Sequence, residues 1–192
     1  MNLETFVHNN IYNEFKMNVK RALIIGRFQP LHLGHMNVIE EAAREYDEII
    51  IGIGSSQESH TLKNPFTAGE RIMMIKNSLD ELNNTRNNKL NYLIIPIPDI
   101  HNNSIWVAHV CSLVPEFNVV YSRNNLVKRL FREAGFTVKE QELYDRGKHE
   151  GTEIRRKIAE GKKWENLVPK AVYDVITEIS GAERIKEISS GT

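Results

Sequence analysis

Two histidines and an arginine give the chain its clearest chemical signal. Arg27, His32 and His35 lie within a turn rich in Gly and Pro or directly after it, and a helical pattern begins at His35. The start of a helix offers free N–H groups and the positive end of the helix dipole, which together bind anions. Imidazole and guanidinium groups add donors, and we expect the histidines to be protonated beside phosphates. The segment therefore predicts a phosphate site.

These residue types suit phosphoryl or nucleotidyl transfer. Such a reaction needs a positioned attacking oxygen and stabilised negative charge, and it requires little covalent chemistry of the protein. The sequence contains no P-loop pattern, no Gly-x-Gly-x-x-Gly pattern after the first predicted strand and no Gly-x-Ser-x-Gly nucleophile elbow. Two histidines without Cys or Glu at the usual spacing are a weak zinc signature. No metal site made of side chains is therefore predicted.

A second basic segment, residues 150–156, contains Arg155 and Arg156. Thr152 is a suitable N-cap residue, which would place Arg155 in the first turn of a helix, where it could lean over a bound triphosphate. Taken alone, the same pattern also describes an ordinary capped helix with solvated arginines. Both interpretations stay open on this evidence.

Alternating strands and helices must position these residues. Apolar runs at 22–25, 48–54, 92–97 and 119–121 predict buried parallel strands, and a more polar run at 136–143 predicts a fifth. The sequence predicts one helix that starts at His35, a second from the Thr67–Glu70 capping box to about Leu82, and a third that contains Trp106. Further helices are predicted at 126–134 and 152–160, and from Pro169 to a break at Gly181. A last helix is predicted from Gly181 to about Ile188. This order predicts an α/β fold with a doubly wound, mostly parallel sheet and C-terminal helices.

The loops that follow parallel strands meet at one edge of the sheet, so residues distant in sequence are expected to share a site there. The loops after the second and third strands supply Ser55, Ser59, His60, Lys63, Asp99, Asn103 and Trp106. Together with the first loop and residues 155–156, they predict a site rich in cations and neutral donors, with one carboxylate and one large aromatic ring. Trp106 could equally be a core residue of its helix.

Composition excludes several classes of protein. The 192 residues include 25 basic and 25 acidic side chains, so the balance gives no sign of a nucleic-acid partner. A single cysteine, Cys111, fits a reducing compartment, and no apolar run is long enough for a membrane span or a secretory signal. We therefore expect a cytoplasmic protein with no membrane association. Residues 1–19 are expected to be an appendage of unassigned role, and residues 20–192 a single domain.

The pattern Gly-Arg-Phe-Gln-Pro-x-His-x-Gly-His at residues 26–35 resembles the signature of the nucleotidyltransferase superfamily that includes the class I aminoacyl-tRNA synthetases. Within that superfamily it is similar to the archaeal nicotinamide-nucleotide adenylyltransferase family, and the resemblance extends from about residue 21 to residue 188. The segments 59–71, 99–106 and 151–156 carry it as well. The resemblance implies a Rossmann-like nucleotidyltransferase fold and a reaction that joins ATP and nicotinamide mononucleotide (NMN) into NAD and pyrophosphate, with Mg²⁺.

The resemblance also implies roles for individual residues. It assigns catalysis and neutralisation of the ATP phosphates to Arg27, His32, His35 and Arg155. It assigns other ATP or phosphate contacts to Gly26, Phe28, Gln29, Gly34, Lys63, Asn124, Thr152 and Arg156. It assigns the nicotinamide nucleotide to Ser55, Asp99, Asn103 and Trp106, with the indole stacked on the nicotinamide ring. Family members are usually homo-oligomers, often hexamers.

Three positions depart from the family pattern. Glu150 stands where Ser is common, Arg123 where Gly is common, and Lys63 where Arg is sometimes found. A carboxylate near a triphosphate would repel it unless the carboxylate turns outward or meets Mg²⁺. The alternatives are another adenylyl- or cytidylyltransferase, making FAD, dephospho-coenzyme A or a CDP-alcohol, and a non-catalytic nucleotide sensor, which Glu150 and Arg123 would favour.

Overall fold

Five parallel strands form the centre of the protein. The computed structural model describes residues 19–139 and 150–191, and within them the strands are β1 Arg21–Gly26, β2 Glu48–Ile53, β3 Asn91–Pro96, β4 Val119–Tyr121 and β5 Val138–Lys139. Their order in the sheet is β3-β2-β1-β4-β5. The predicted doubly wound parallel sheet is therefore confirmed. The fifth strand begins at Val138, two residues later than predicted, and residues 140–143 of that prediction lie outside the described residues, as does the predicted appendage apart from Val19.

Helices cover both faces of this sheet. They are α1 Leu33–Ala42, α2 Ala68–Thr85, α3 Asn103–Leu113, α4 Asn125–Glu133, α5 Gly151–Ala159, α6 Lys170–Glu178 and α7 Gly181–Ser190, with a 3₁₀ turn at Glu165–Leu167. None of the helices in the described part of the chain is long and apolar enough to span a bilayer.

Alternate residues of β1 enter two separate cores, because successive side chains of a strand point to opposite faces. Leu23 and Ile25 pack with α3 and α4, and their core includes Trp106 and Phe131. Ala22 and Ile24 belong to the larger core formed with the remaining helices. The continuous apolar run in β1 therefore reflects burial on both faces, as the sequence predicted.

Helix ends agree with the sequence in some places and differ in others. The predicted capping box of α2 is confirmed, since the Glu70 N–H donates to Thr67 Oγ1 at 3.2 Å and the Thr67 N–H donates to the Glu70 carboxylate at 2.9 Å. The prediction of Thr152 as the N-cap of α5 is wrong: the helix begins one residue earlier, and Glu150 is the N-cap, without a side-chain capping bond. Pro169 is likewise the N-cap of α6 and not its first helical residue.

Gly181 does not end α6, contrary to the prediction. The chain breaks one residue earlier, where Ser180 adopts a left-handed conformation with φ +51°, and Gly181 is the first residue of α7. A Cβ at Gly181 would lie 2.8 Å from the ring of Phe66. Glycine is therefore needed here for close packing between α7 and the loop before α2.

Candidate active site

A cavity of about 650 Å³ opens at the carboxyl edge of the sheet. It lies where the strand order turns, between β1 and β4, which is where open α/β sheets bind ligands. The loops after four strands and the first turn of α5 form its walls. Among the predicted site residues, those that line the cavity are Gly26, Arg27, Phe28, Gln29, His32, His35, Ser55, Asp99, Asn103, Trp106, Asn124, Thr152 and Arg155. The loops therefore converge as the sequence predicted.

His32 and His35 cap the first turn of α1 through each other. The backbone N–H of His35 donates to Nδ1 of His32, and the backbone N–H of His32 donates to Nδ1 of His35, both at 3.3 Å. The two rings stack with their centroids 3.6 Å apart. This is a capping box made of imidazoles in place of the usual hydroxyl and carboxylate. Because both Nδ1 atoms accept, each neutral ring carries its proton on Nε2.

The His35 ring is neutral at neutral pH. Burial lowers its pKa well below the usual value, and electrostatic interactions with His32 and Arg123 lower it further. The protonated state expected from the sequence refers to histidines beside bound phosphates, whose negative charge would shift the pKa in the opposite direction. A neutral imidazole still donates one hydrogen bond, through Nε2.

Arg155 joins α5 to the loop after β1 and the loop after β2. Its guanidinium donates to the carbonyl oxygens of Leu62 at 2.8 Å and Gln29 at 2.7 Å, and to Thr152 Oγ1 at 3.2 Å. Burial and the charge of Arg27 lower the pKa of Arg155 to about 10, so the group remains a cation at neutral pH. These bonds use three of the five guanidinium N–H groups. The hydroxyl of Thr152, predicted to cap the helix, instead helps to orient Arg155.

The described residues that line the cavity carry an excess of positive charge. Arg27, Arg123 and Arg155 contribute guanidinium groups, whereas Asp99 contributes the one carboxylate among those residues. Such a lining attracts a polyanion. Asp99 lies on the opposite wall and accepts a hydrogen bond from Ser55 Oγ at 2.6 Å.

Arg71 organises this site without lining the cavity, and the sequence reasoning gave it no role. Its side chain is fully buried at the start of α2. The guanidinium donates to backbone carbonyl oxygens of the loops after β1 and β2, namely those of Arg27, Gly54, Ser55, Ser56, Glu58 and, through Nε, Thr67. Burial and the charge of Arg27 lower its pKa to about 10. The sequence indicated this role only through the place of Arg71, an arginine in the first turn of a helix that begins with a capping box.

Gln29 joins the same two loops through its side chain. Its amide donates to the carbonyl oxygen of Phe66 at 2.9 Å and accepts from the N–H of Phe66 at 2.9 Å, and the residue is 3 % exposed. Both ends of the amide are therefore used within the protein. Gln29 was predicted to contact ATP, but the structure gives its side chain a positioning task and leaves its backbone oxygen to Arg155.

The wall opposite the phosphate side is built from the loops after β2 and β3. The side chain of Gln57 makes two hydrogen bonds with the backbone of Asp99, and this fixes the carboxylate next to Ser55. Asn103, the first residue of α3, is exposed beside it. Trp106 is 8 % exposed and packs edge-to-face on Phe131, as a core residue does, yet it also lines the cavity.

Three non-glycine residues of the lining have left-handed backbones. Phe28, Ser55 and His101 have φ values of +50°, +49° and +51°. Such conformations are rare for residues with a Cβ, and they persist where surrounding contacts over-determine them, often at functional sites. Phe28 is buried, and its ring contacts the His35 ring at a centroid distance of 4.7 Å.

Some predicted site residues lie away from the cavity. Arg156 forms ion pairs with Glu153 and Glu160 on the exposed side of α5, and Lys63 is exposed outside the lining. The cause for Arg156 is the helical rotation between successive residues, which turns it away when Arg155 faces the loops. Gly34, in the first turn of α1, does not line the cavity either. Asn124 does, but its side chain caps α4 by accepting from the N–H groups of residues 126 and 127.

Gly151 is a second functional position that the sequence reasoning left without a role. A Cβ at this residue would lie 3.0 Å from the carbonyl oxygen of Gln29 and 3.2 Å from Nη1 of Arg155. Glycine therefore favours the close approach of α5 to the first loop, and with it the bond between Arg155 and Gln29, because any larger residue would have to push these atoms away. In the sequence, the available indication of close packing was a glycine directly before the predicted start of this helix at Thr152.

Comparison with known proteins agrees with this geometry. The family model described as cytidylyltransferase-like matches residues 23–157. A nicotinamide-nucleotide adenylyltransferase of Archaeoglobus fulgidus is 54 % identical over 169 residues, which cover 88 % of this chain and 97 % of that protein. The corresponding protein of Methanosarcina mazei is 54 % identical over 170 residues, covering 88 % and 95 %. The chain belongs to the nicotinamide-nucleotide adenylyltransferase family. It is thus a member of the nucleotidyltransferases, as the sequence motifs indicated.

The fold of this family member also matches solved structures. A bifunctional NMN adenylyltransferase/ADP ribose pyrophosphatase of Francisella tularensis, crystallised with AMP and a manganese ion, superposes with a TM-score of 0.69 at 22 % identity. The match covers 90 % of this chain and 52 % of that one, so the present chain spans about half of the bifunctional protein. At this identity the likeness shows a common fold.

Proposed function

We propose that the protein transfers AMP from ATP to nicotinamide mononucleotide, giving NAD and pyrophosphate. An oxygen of the NMN phosphate attacks the α-phosphorus of ATP, and the bond from that phosphorus to the oxygen leading to the β-phosphate breaks. The observation that carries the proposal is a single cavity with cations on one wall and a carboxylate and an indole on the other. This arrangement suits a polyphosphate and a flat, polar acceptor bound side by side.

The phosphate wall stabilises charge that moves from the attacking oxygen to the pyrophosphate. Arg27 and Arg155 supply fixed positive charge, and His32 and His35 supply hydrogen-bond donors held by the capping contacts of α1. A bound phosphate raises the pKa of a nearby imidazole, because opposite charges favour the protonated form. His35 therefore takes up a proton more readily when nucleotide is present, which increases its hold on the phosphates.

The opposite wall recognises the acceptor. The pyridinium ring of NMN is electron-poor, and contact with the indole of Trp106 is a cation–π interaction of about 1–2 kcal/mol. Asp99, held by Ser55 and Gln57, and Asn103 line the same cavity as Trp106 and would bind the amide and ribose. This wall has no evident use for a flavin or a phosphopantetheine.

A divalent metal fits this donor set when it arrives with ATP. Mg²⁺ prefers oxygen ligands and keeps waters and phosphate oxygens around it. Arginines dominate the lining and Asp99 is its one described carboxylate, so phosphate oxygens and water supply most of the ligands. The metal would add neutralisation of the triphosphate charge.

The protein is further proposed to be a cytoplasmic homo-oligomer, a hexamer by family resemblance. Light scattering of the purified chain tests the oligomeric state.

The decisive experiment measures pyrophosphate release from ATP with a panel of acceptors. NMN and nicotinic acid mononucleotide are compared with FMN, phosphopantetheine and no acceptor, and the NAD product is identified by chromatography. We expect release with NMN well above the acceptor-free rate. Preference for FMN or phosphopantetheine, or binding of ATP without release for any acceptor, would contradict the proposal. Use of nicotinic acid mononucleotide alongside NMN would leave it intact and define the acceptor range.

A further inference from the structure

Arg123 and Glu150 form an ion pair between two walls of the cavity. Arg123 follows β4 and precedes the N-cap of α4, and Glu150 is the N-cap of α5. Nη2 of Arg123 lies 3.2 Å from Oε1 of Glu150, with the two side chains 37 % and 53 % exposed. These are two of the positions at which the sequence departs from the family pattern. The structure shows that the two departures contact each other.

The Arg123 side chain is placed to meet the phosphates. It lines the cavity, and its charge contributes to the lowered pKa of His35, so the guanidinium lies within electrostatic reach of that ring. Arg155 lies on α5, the helix whose N-cap is Glu150, and it lines the same cavity. Arg123 therefore belongs to the same group of positive charges as the residues of the phosphate wall.

Glu150 is oriented toward Arg123 and away from its own helix. Ser, Thr, Asp and Asn are the N-cap residues whose side chains accept hydrogen bonds from the first N–H groups of a helix, and Glu is not among them. Glu150 makes no such side-chain bond, and only its backbone oxygen serves α5, by accepting from Ile154. The carboxylate instead contacts the guanidinium of Arg123.

We infer that Arg123 is an additional phosphate-binding residue of the nucleotide site and that Glu150 is its exchangeable counter-ion. Before nucleotide binds, Glu150 holds the guanidinium at the mouth of the cavity. An exposed ion pair of this kind is weak, whereas a triphosphate or pyrophosphate carries several charges and offers the planar, bidentate contact that arginine favours. The guanidinium therefore transfers from the carboxylate to the phosphate when a polyphosphate enters. Glu150 lowers affinity for polyphosphate by competing for Arg123.

The inference rests on the proposed function only for the identity of the reaction, so its test measures binding separately. Calorimetry of the intact protein with ATP, and with inorganic tripolyphosphate, follows the phosphate contacts without any acceptor. We expect Arg123→Ala to weaken both ligands by about tenfold and by the same factor, with adenosine binding unchanged. We expect Glu150→Gln to strengthen both about two- to fivefold. Arg129→Ala, which breaks an exposed Arg–Glu pair on α4, serves as the matched control and should change neither.

The double variant distinguishes competition from direct repulsion. If Glu150 acts through Arg123, Glu150→Gln has no effect on tripolyphosphate affinity once Arg123 is alanine. An equal gain in both backgrounds would mean that the carboxylate repels the phosphates directly, and it would overturn the exchange. Unchanged affinity in Arg123→Ala would overturn the phosphate contact itself. NMN-dependent pyrophosphate release by the wild-type protein, measured in parallel, shows separately whether the proposed function holds.

Discussion

Two glutamine side chains each make a pair of hydrogen bonds to the backbone of one residue, and one of these glutamines is buried while the other is exposed. We expect the buried pair to contribute more to the free energy of unfolding. Gln29 pairs its side-chain amide with the backbone N–H and C=O of Phe66, and Gln57 does the same with the backbone of Asp99. Gln29 is 3 % exposed, whereas Gln57 is exposed to solvent. Replacing each by alanine therefore removes similar bonds from different surroundings.

The expected cost differs several-fold between the two sites. In Gln29→Ala, two buried backbone groups of Phe66 lose their partners, and each such group costs about 1–3 kcal/mol, for a sum of about 2–6 kcal/mol. In Gln57→Ala, water replaces the lost partner, and we expect about 0.5 kcal/mol. For a domain of this size, 1 kcal/mol shifts the melting temperature by about 2–4 °C.

Calorimetric or spectroscopic melting of the wild type and both variants measures the difference. Gln29→Glu adds a sharper variant, because it keeps the acceptor for the Phe66 N–H but turns a carboxylate oxygen toward the Phe66 carbonyl. This destabilisation should diminish at acidic pH, where the introduced carboxyl protonates. If Gln57→Ala costs as much as Gln29→Ala, or if Gln29→Ala costs less than about 1 kcal/mol, the argument from burial is wrong.

Three further predictions concern the phosphate wall and the base of α2. His35→Ala should lower kcat/KM about a hundredfold, from the loss of about 3 kcal/mol of transition-state stabilisation, with the fold intact and a modest fall in melting temperature from the lost cap of α1; an equal rate in the variant would exclude a catalytic role. Arg155→Ala should raise the KM for ATP at least tenfold more than Arg156→Ala, since only the former side chain faces the loops, and equal effects would contradict that orientation. For Glu70, burial raises the pKa, but hydrogen bonds from Arg184 and Thr67 outweigh it and the pKa falls. The stabilisation is therefore present above the ordinary carboxyl pKa and is lost as the pH falls through the lowered pKa of the folded state, and melting temperatures of Glu70→Gln should decline less over that acidic range.

The sequence predicts the architecture well because the architecture depends on local patterns. The apolar run at 22–25 and the Thr67–Glu70 capping box each report a backbone state that nearest neighbours in sequence determine. The position of Arg156 was predicted less well, since a motif does not say which of two adjacent arginines faces the cavity. Arg71 and the tie between Gln29 and Phe66 depend on partners in other loops, and nothing in the spacing of the residues reveals them. The lowered pKa of His35 depends first on burial and then on neighbouring charges, which only the folded chain brings together.

The contacts of Arg71 bear on how this site can change over evolutionary time. Every acceptor of its guanidinium is a main-chain oxygen, which any amino acid at those positions would supply. A change of side chain at one of these acceptor positions therefore leaves the hydrogen bonds of Arg71 available. Substitutions of the residues that face the acceptor would therefore change which molecule is adenylylated before they destabilised the loops that hold the triphosphate.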